Sequence, residues 1–261
     1  MQANTFMGVK NMEDLHSKKA IVTGAAQGLG VAMAEGLCEY GVKVCILDIS
    51  PNLQQTVEDL CKKDFDVIGL QADLSDQRNL PSVFDRALEL LDGELDILVN
   101  NAGIHKSLPA IDFQIEDFQR ILQVNIMAVF QLCRLAAEDM KKRGKGKIIN
   151  IASVLASQGG FHASAYSASK GAVAQLTKSL SNEWAKEGIS VNAIAPGYYE
   201  TELNHHILID EKRYESLVSR IPIGRFGQPR ELAGTVQFLA SEKSDYISGA
   251  IIPVDGGFLG R

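Results

Sequence analysis

Ser153, Tyr166 and Lys170 place a hydroxyl, a phenol and an ammonium close together in the chain. Ser153 ends an apolar run, residues 147–152, that reads as a buried strand. Tyr166 and Lys170 open the next periodic segment. A spacing of four puts them on one helical face, one turn apart. Together the three groups form an acid–base device. A free phenol has a pKa of about 10 and is a poor base at neutral pH. A nearby ammonium favours the phenolate and lowers that value. Bringing it near 7 takes about 4 kcal/mol of differential interaction. Tyr166 could then take a proton from an alcohol, or give one to a carbonyl, as hydride moves. Ser153 can hydrogen-bond the same oxygen and hold it in line. An ordinary helix tyrosine beside a surface lysine gives the same spacing, so the pair needs support from the rest of the chain.

That support lies in the elements that must position it. Residues 18–23 are a short apolar strand that runs into Gly24-Ala25-Ala26-Gln27-Gly28-Leu29-Gly30. Residues 31–40 then carry apolar side chains at helical spacing and stop at Gly41. Glycines let the backbone turn tightly and approach a phosphate, and the following helix N-terminus offers free N–H groups. The spacing is G-x-x-x-G-x-G rather than the commoner G-x-G-x-x-G, and a plain βα turn carries glycines too. The second strand, 42–47, ends in Asp48, 18 residues after Gly30. A carboxylate there can bind the adenosine ribose hydroxyls and repel a 2′-phosphate. Ile49, Ser50 and Pro51 follow without a cation, so NAD is favoured over NADP. Asp48 as N-cap of the next helix is an equally natural reading.

The remaining elements alternate. Helices are predicted at 53–63, 80–91, 118–143, 166–187 and 229–240, and Asn125 falls within the third of these. Strands are predicted at 65–72, 95–99, 147–152, 189–195 and 250–254. The pattern predicts an α/β fold: a single-domain, Rossmann-like, doubly wound parallel sheet flanked by helices. It spans residues 17–261, after a flexible N-terminal extension at 1–16, and includes a substrate-covering segment at about 198–225. Gly24, Asp48, Asp73, Asn101, Ser153 and Pro196 all fall at the carboxyl end of a predicted strand. In an open α/β sheet that edge is where ligands bind.

Composition narrows the function classes. Apolar residues make up 46% and charged residues 22% of the 261 positions, as in ordinary soluble domains. A net charge of −6 argues against a nucleic-acid surface. The one basic cluster, Lys141-Lys142-Arg143 with Lys145 and Lys147, reads as a solvated helix end. No apolar run approaches transmembrane length, and the N-terminus has no signal-peptide core, so a cytoplasmic protein is expected. Cys38, Cys45, Cys61 and Cys133 have no metal-ligand spacing and read as reduced thiols. His205-His206 reads as a polar loop pair, and no metal site is expected.

With these residues assembled, the chain resembles the short-chain dehydrogenase/reductase family over about residues 15–261. The motifs are Thr23-Gly24-x-x-x-Gly28-x-Gly30, Asn100-Asn101-Ala102-Gly103, Ser153, Tyr166-x-x-x-Lys170 and Pro196-Gly197. The resemblance implies a catalytic tetrad of Asn125, Ser153, Tyr166 and Lys170. Tyr166 is then the general acid/base, Ser153 positions the substrate oxygen, and Lys170 lowers the Tyr166 pKa and binds the nicotinamide ribose. Asn125 holds a water in a proton relay behind Lys170. The resemblance places the cofactor against Gly24, Gln27, Gly28, Leu29, Gly30, Asp48, Asp73, Leu74, Asn101, Ala102, Gly103, Tyr166, Lys170, Pro196, Gly197 and Thr201. Asp73 lies at the adenine, Asn101 at the ribose, and Thr201 near the carboxamide or the phosphates.

Softer signals, Gln158-Gly159-Gly160, Asn182-Glu183-Trp184-Ala185-Lys186 and the tail from Phe238 to Arg261, are similar to sugar-acid dehydrogenases. They imply an NAD-dependent oxidoreductase interconverting a secondary alcohol and a ketone on a sugar acid. A reductase of another carbonyl, such as 3-oxoacyl carrier protein or a neutral sugar, and a non-catalytic dinucleotide-binding protein are the alternatives. Substrate contacts are expected from Ser153, Lys106, Gln158, His162 and Tyr198, with His105, His205 and Arg213 as further candidates. A desolvated carboxylate needs a cationic partner, and Lys106, whose charge is secure at neutral pH, is the expected one. Val129, Phe130 and Leu132 in one helix, and Val173, Leu176, Leu180 and Trp184 in another, spread over more than one face. With the family resemblance, they imply a homotetramer in twofold symmetry built on these helices and the C-terminal segment.

Overall fold

The computed structural model describes residues 12–261. Its strands are β1 (Lys19–Thr23), β2 (Lys43–Asp48), β3 (Val67–Gln71), β4 (Ile97–Asn100), β5 (Gly146–Ile151), β6 (Ile189–Pro196) and β7 (Ile251–Val254). They form one sheet in the order β3-β2-β1-β4-β5-β6-β7, and every pairing is parallel. The helices are α1 (Gly28–Cys38), α2 (Leu53–Cys61), α3 (Leu80–Leu90), α4 (Ile115–Leu122), α5 (Val129–Arg143), α6 (Ser164–Trp184), α7 (His205–Leu208), α8 (Glu211–Val218) and α9 (Arg230–Ala240).

The central strands read as unbroken apolar runs because both faces are covered; all eight residues of β6 are buried. Successive side chains of a strand alternate between faces, and β1 displays this. Val22 joins the core under α1, α2 and α9, with Met33, Leu37, Val57 and Val236. Ile21 joins the opposite core under α3, α5 and α6, with Phe84, Leu132, Met140 and Leu180. The sequence order reverses between β1 and β4, which opens a crevice at the carboxyl ends of these strands.

Three features differ from the sequence reading. Of the expected loose extension at 1–16, residues 1–11 lie outside the described residues. The remainder is packed: Glu13–Leu15 form a short 3-10 helix with Leu15 fully buried, and Asp14 accepts a hydrogen bond from the Glu242 backbone at 2.7 Å. Second, the segment Ile115–Arg143 does reach the length and mean hydropathy (1.3) of a spanning helix. It instead lies against the sheet, where Val129, Leu132, Cys133, Ala136, Ala137 and Met140 are buried. Third, that segment is not one α-helix. Gln123–Ala128 form a π-helical turn between α4 and α5, and the turn carries Asn125.

The long segment after β6 folds into α7 and α8. It encloses a small core of its own, in which Ile207, Ile221 and Phe226 meet Val154 and Phe258. That core stands over the carboxyl edge of β5 and β6.

Candidate active site

The loop after β1 is pressed against the loop after β4. Gly24 has a left-handed φ of 64°, and a Cβ there would lie 2.7 Å from Ala102 Cα. A Cβ on Gly30 would lie 2.1 Å from the Gly24 carbonyl oxygen. Only glycine permits both approaches. Asn101 fixes the arrangement: its side-chain amide donates to the carbonyls of Thr23 (2.9 Å) and Gly24 (2.8 Å). The Thr23 hydroxyl accepts from the backbone N–H groups of Asn101 and Ala102, both at 3.0 Å. The Asn101 amide oxygen takes part in none of these bonds.

These loops wall a groove of about 530 Å³ lined by Gly24, Gln27, Gly28, Leu29, Gly30, Asp48, Asp73, Leu74, Asn101, Ala102, Gly103 and Thr201. The Asp48 carboxylate accepts from Ala26 N–H and Ser50 N–H, both at 2.9 Å. It does not cap α2, whose N-cap is Asn52. The Asp73 carboxyl is held below the usual carboxylate range by the Ser75 hydroxyl and N–H, helped by the Arg120 guanidinium. Arg120 also lines the groove. Sequence reasoning missed it, because it comes from a helix with no motif. A cradle that tolerates no Cβ, with a carboxylate at the end of the next strand, fits an adenine dinucleotide.

The groove runs into a cavity of about 380 Å³, and Leu29, Asn101, Gly103, Thr201 and Leu203 line both. Tyr166, Lys170, Ser153, Pro196 and Gly197 line the cavity. Ser153 follows β5, and its hydroxyl caps the next turn by accepting from Leu155 N–H at 3.1 Å. Tyr166 and Lys170 sit in the first two turns of α6. The Lys170 ammonium, 3% exposed, donates to the Ile151 carbonyl at 2.6 Å and lies 5.6 Å from the Tyr166 ring centre. Asn125 is wholly buried. Its oxygen accepts from Ile104 N–H (2.8 Å) and its amide donates to the Ile104 carbonyl and Ser169 hydroxyl, both at 3.0 Å. Asn125 therefore braces the β4 loop against α6, and each of its side-chain bonds goes to protein.

The electrostatics correct one expectation. Burial pushes the Tyr166 phenol up to about 12; the Ser153 hydroxyl works the other way, and Tyr198 adds to the rise. Burial also lowers Lys170 to about 8. The ammonium does not pull the phenol towards neutrality in this arrangement. Desolvation penalises both charged forms, and the Lys170 donor is aimed at a carbonyl rather than at the phenol oxygen. At neutral pH Tyr166 therefore holds its proton, ready to donate.

The substrate-side expectations divide. Gln158, Tyr198, His105 and Arg213 line the cavity, and the His105 ring meets the Tyr166 ring edge-on at 5.0 Å. Lys106 is outside the lining and is ion-paired with Asp117. That carboxylate is 11 residues along the chain, so the competition is invisible in the local sequence. His162 is also outside the lining. Its left-handed backbone (φ 54°) sets the ring on Phe161, with centres 3.9 Å apart. His205 is exposed and outside the lining. In their place stands Arg220, which sequence reasoning missed; its guanidinium lies 4.7 Å from the Phe258 ring centre. Among the described residues no carboxylate lines the cavity, in a chain of net charge −6.

The family profile described as enoyl-(acyl carrier protein) reductase matches residues 24–259. The chain is 46% identical to 2-dehydro-3-deoxy-D-gluconate 5-dehydrogenase of Bacillus subtilis (strain 168), over 95% of this chain and 96% of the relative. It is 36% identical to gluconate 5-dehydrogenase of Gluconobacter oxydans (strain 621H), over 96% and 98% of the two chains. Its fold superposes with a TM-score of 0.91 on the crystal structure of a gluconate 5-dehydrogenase from Burkholderia cenocepacia J2315 in complex with NADP and tartrate, at 36% identity over 96% and 99% of the chains. Alike in sequence and in fold along nearly its whole length, the chain belongs to the short-chain dehydrogenase/reductase family, whose members are NAD(P)-dependent oxidoreductases.

Proposed function

We propose that the protein interconverts a secondary hydroxyl and a ketone on a six-carbon sugar acid, with NAD preferred to NADP. One observation carries this reading: among the described residues, the cavity at the Ser153 and Tyr166 hydroxyls bears two guanidiniums and no carboxylate. Such a lining suits a hydroxylated anion better than a long acyl chain. Relatives named for gluconate and 2-dehydro-3-deoxy-D-gluconate support it. The nicotinamide, when bound, supplies or accepts the hydride. The chain's own residues then do the remaining work. Ser153 holds the reacting oxygen, Tyr166 gives it a proton in reduction or takes one in oxidation, and Lys170 sets the charge beneath the phenol. Asn125 braces the β4 loop against α6 through Ile104 and Ser169 and so supports the helix that carries Tyr166 and Lys170.

Asp48 supports NAD. Its carboxylate faces the groove, and Asp73 and Glu202 line the same groove. A 2′-phosphate would meet like charge, with Arg120, which acts on Asp73, as a counter-charge in the groove. Free thiols at Cys38, Cys45, Cys61 and Cys133 suit a cytoplasmic protein, and a homotetramer is the assembly the reading carries.

A panel of sugar acids, polyols and 3-oxoacyl thioesters, each with NAD(H) and NADP(H), tests the reading by nicotinamide absorbance. Turnover should be highest with a sugar acid and NAD(H), and Asp48→Ala should narrow the gap between the two cofactors. A wild type that prefers NADPH sinks the Asp48 assignment; one that prefers a neutral polyol or a thioester sinks the substrate class.

A further inference from the structure

We infer that Arg213 and Arg220 form the clamp that holds the substrate carboxylate. The inference rests on the sugar-acid reading and names the groups that make that site selective. Arg213, Ser216, Leu217 and Arg220 all line the cavity. Their spacing of three, four and seven is one helical stripe, carried by α8 and the turn that follows it. The covering segment therefore turns one face inward, and that face carries a cation at each end.

Among the described residues, neither guanidinium is ion-paired with a carboxylate of the chain. Arg86, Arg134, Arg143 and Arg225 each form an ion pair with a carboxylate. Among the described residues no such pair involves Arg213 or Arg220, although Asp210, Glu211 and Glu215 are close in sequence. Arg220 is held instead over the ring of the buried Phe258, its guanidinium carbon 4.7 Å from the ring centre. A cation–π contact of this kind holds the guanidinium without consuming its N–H donors, which remain for a ligand. A guanidinium complements a carboxylate in charge and in its forked hydrogen-bond geometry, and this cavity offers two.

The clamp is also in register with the chemistry. Tyr198 is wedged between Phe226 and Phe258, each ring centre 5.4 Å away. Arg220 and Arg213 both act on its hydroxyl, opposing the rise that burial imposes. Tyr198 in turn acts on Tyr166. The two cations, Tyr198, Ser153 and Tyr166 line a single cavity. A chain whose carboxylate lies under α8 presents an inner hydroxyl carbon to Ser153 and Tyr166.

The test compares gluconate with its uncharged amide on wild type, Arg213→Ala, Arg220→Ala and the two lysine replacements. NADH affinity, read by nicotinamide fluorescence, serves as the check on folding. Wild type should prefer the acid by about tenfold or more in kcat/KM. Each alanine variant should lose most of that preference, mainly through KM, with NADH affinity retained. Each lysine variant should keep part of it, because the charge remains while the fork is lost. If both alanine variants discriminate as wild type does, the clamp is wrong and the sugar-acid reading stands. If wild type shows no preference for the acid, the sugar-acid reading falls and the clamp with it. If an alanine variant no longer binds NADH, the lysine variant at that position decides: unreduced preference there overturns the clamp, and reduced preference supports it.

Discussion

The phenol of Tyr166 and the ammonium of Lys170 are both charged at a cost, and that shared cost shapes the pH dependence. With the phenol near 12 and the ammonium near 8, Tyr166 is a proton donor at neutral pH. Ketone reduction finds its donor in place. Alcohol oxidation needs the phenol to part with its proton first, so its rate should climb as pH rises from about 6 to about 9. Reduction should stay nearly level over the same range, because a phenol near 12 keeps its proton there. Lys170 loses its positive charge as pH passes about 8, so the support it gives a phenolate weakens there, and the climb should flatten. Rate profiles in both directions check this, and an oxidation rate independent of pH contradicts it. Tyr166→Phe should abolish turnover with NADH affinity nearly intact, whereas Lys170→Ala should damage both. Substantial turnover in Tyr166→Phe would remove the phenol from the chemistry. The pair was readable in the sequence because a spacing of four on a helix is a local fact. Arg220 was not, since its role depends on α8 standing over a cavity built by other strands. Lys106 misled for the same reason: its charge was visible, but the Asp117 carboxylate that holds it was not.

At the scale of elements, the glycine loop carries the strictest demand. The turn from β1 into α1 lets the helix start within contact of the strand's own carbonyls. Gly30→Ala would put a methyl 2.1 Å from the Gly24 carbonyl oxygen, and the next contacts are Asn101 Nδ2 at 2.6 Å and Ala25 Cα at 2.8 Å. Two of these are backbone neighbours, so the loop itself must move. We expect a loss of about 1–3 kcal/mol in stability, by denaturant titration, together with weaker NADH binding. Wild-type values for both would mean that α1 can slide at no cost. The strand–turn–helix order was plain in the sequence because strand and helix periods differ. The π-helical turn at Gln123–Ala128 was not, because a shift of the hydrogen-bond ladder by one residue leaves no mark on the apolar pattern. Yet that turn carries Asn125 to Ile104 and Ser169. The covering segment was expected from its length alone; its fold into α7 and α8 depends on a core shared with Val154 and Phe258.

At the scale of the whole molecule, the question is what lies against the outer side of α4 and α5. The sequence argument for assembly rested on apolar residues spread over two helices. Most of them are core: Val129, Leu132, Val173 and Leu180 are buried, and Leu176 and Trp184 pack against the core beneath α3, α5 and α6. Phe130 is the member of that set left in the open, at 43% exposure. The structure adds Met127 at 48%, Ile115 at 61% and, in the loop just before α4, Ile111 at 93%. Single exposed apolar residues are common on any surface. Four fall along one segment and its approach, and the assembly proposed above would cover them. In twofold symmetry each such residue meets its own copy or a neighbour's, so one substitution acts twice at every interface. For the proposed homotetramer, light scattering at micromolar concentration should give four times the 28.4 kDa chain mass. Phe130→Asp, which buries no charge within the chain itself, should shift the protein to a smaller species while leaving NADH affinity largely intact. A monomeric wild type would overturn the assembly, and a Phe130→Asp protein of unchanged mass would move the interface away from this segment.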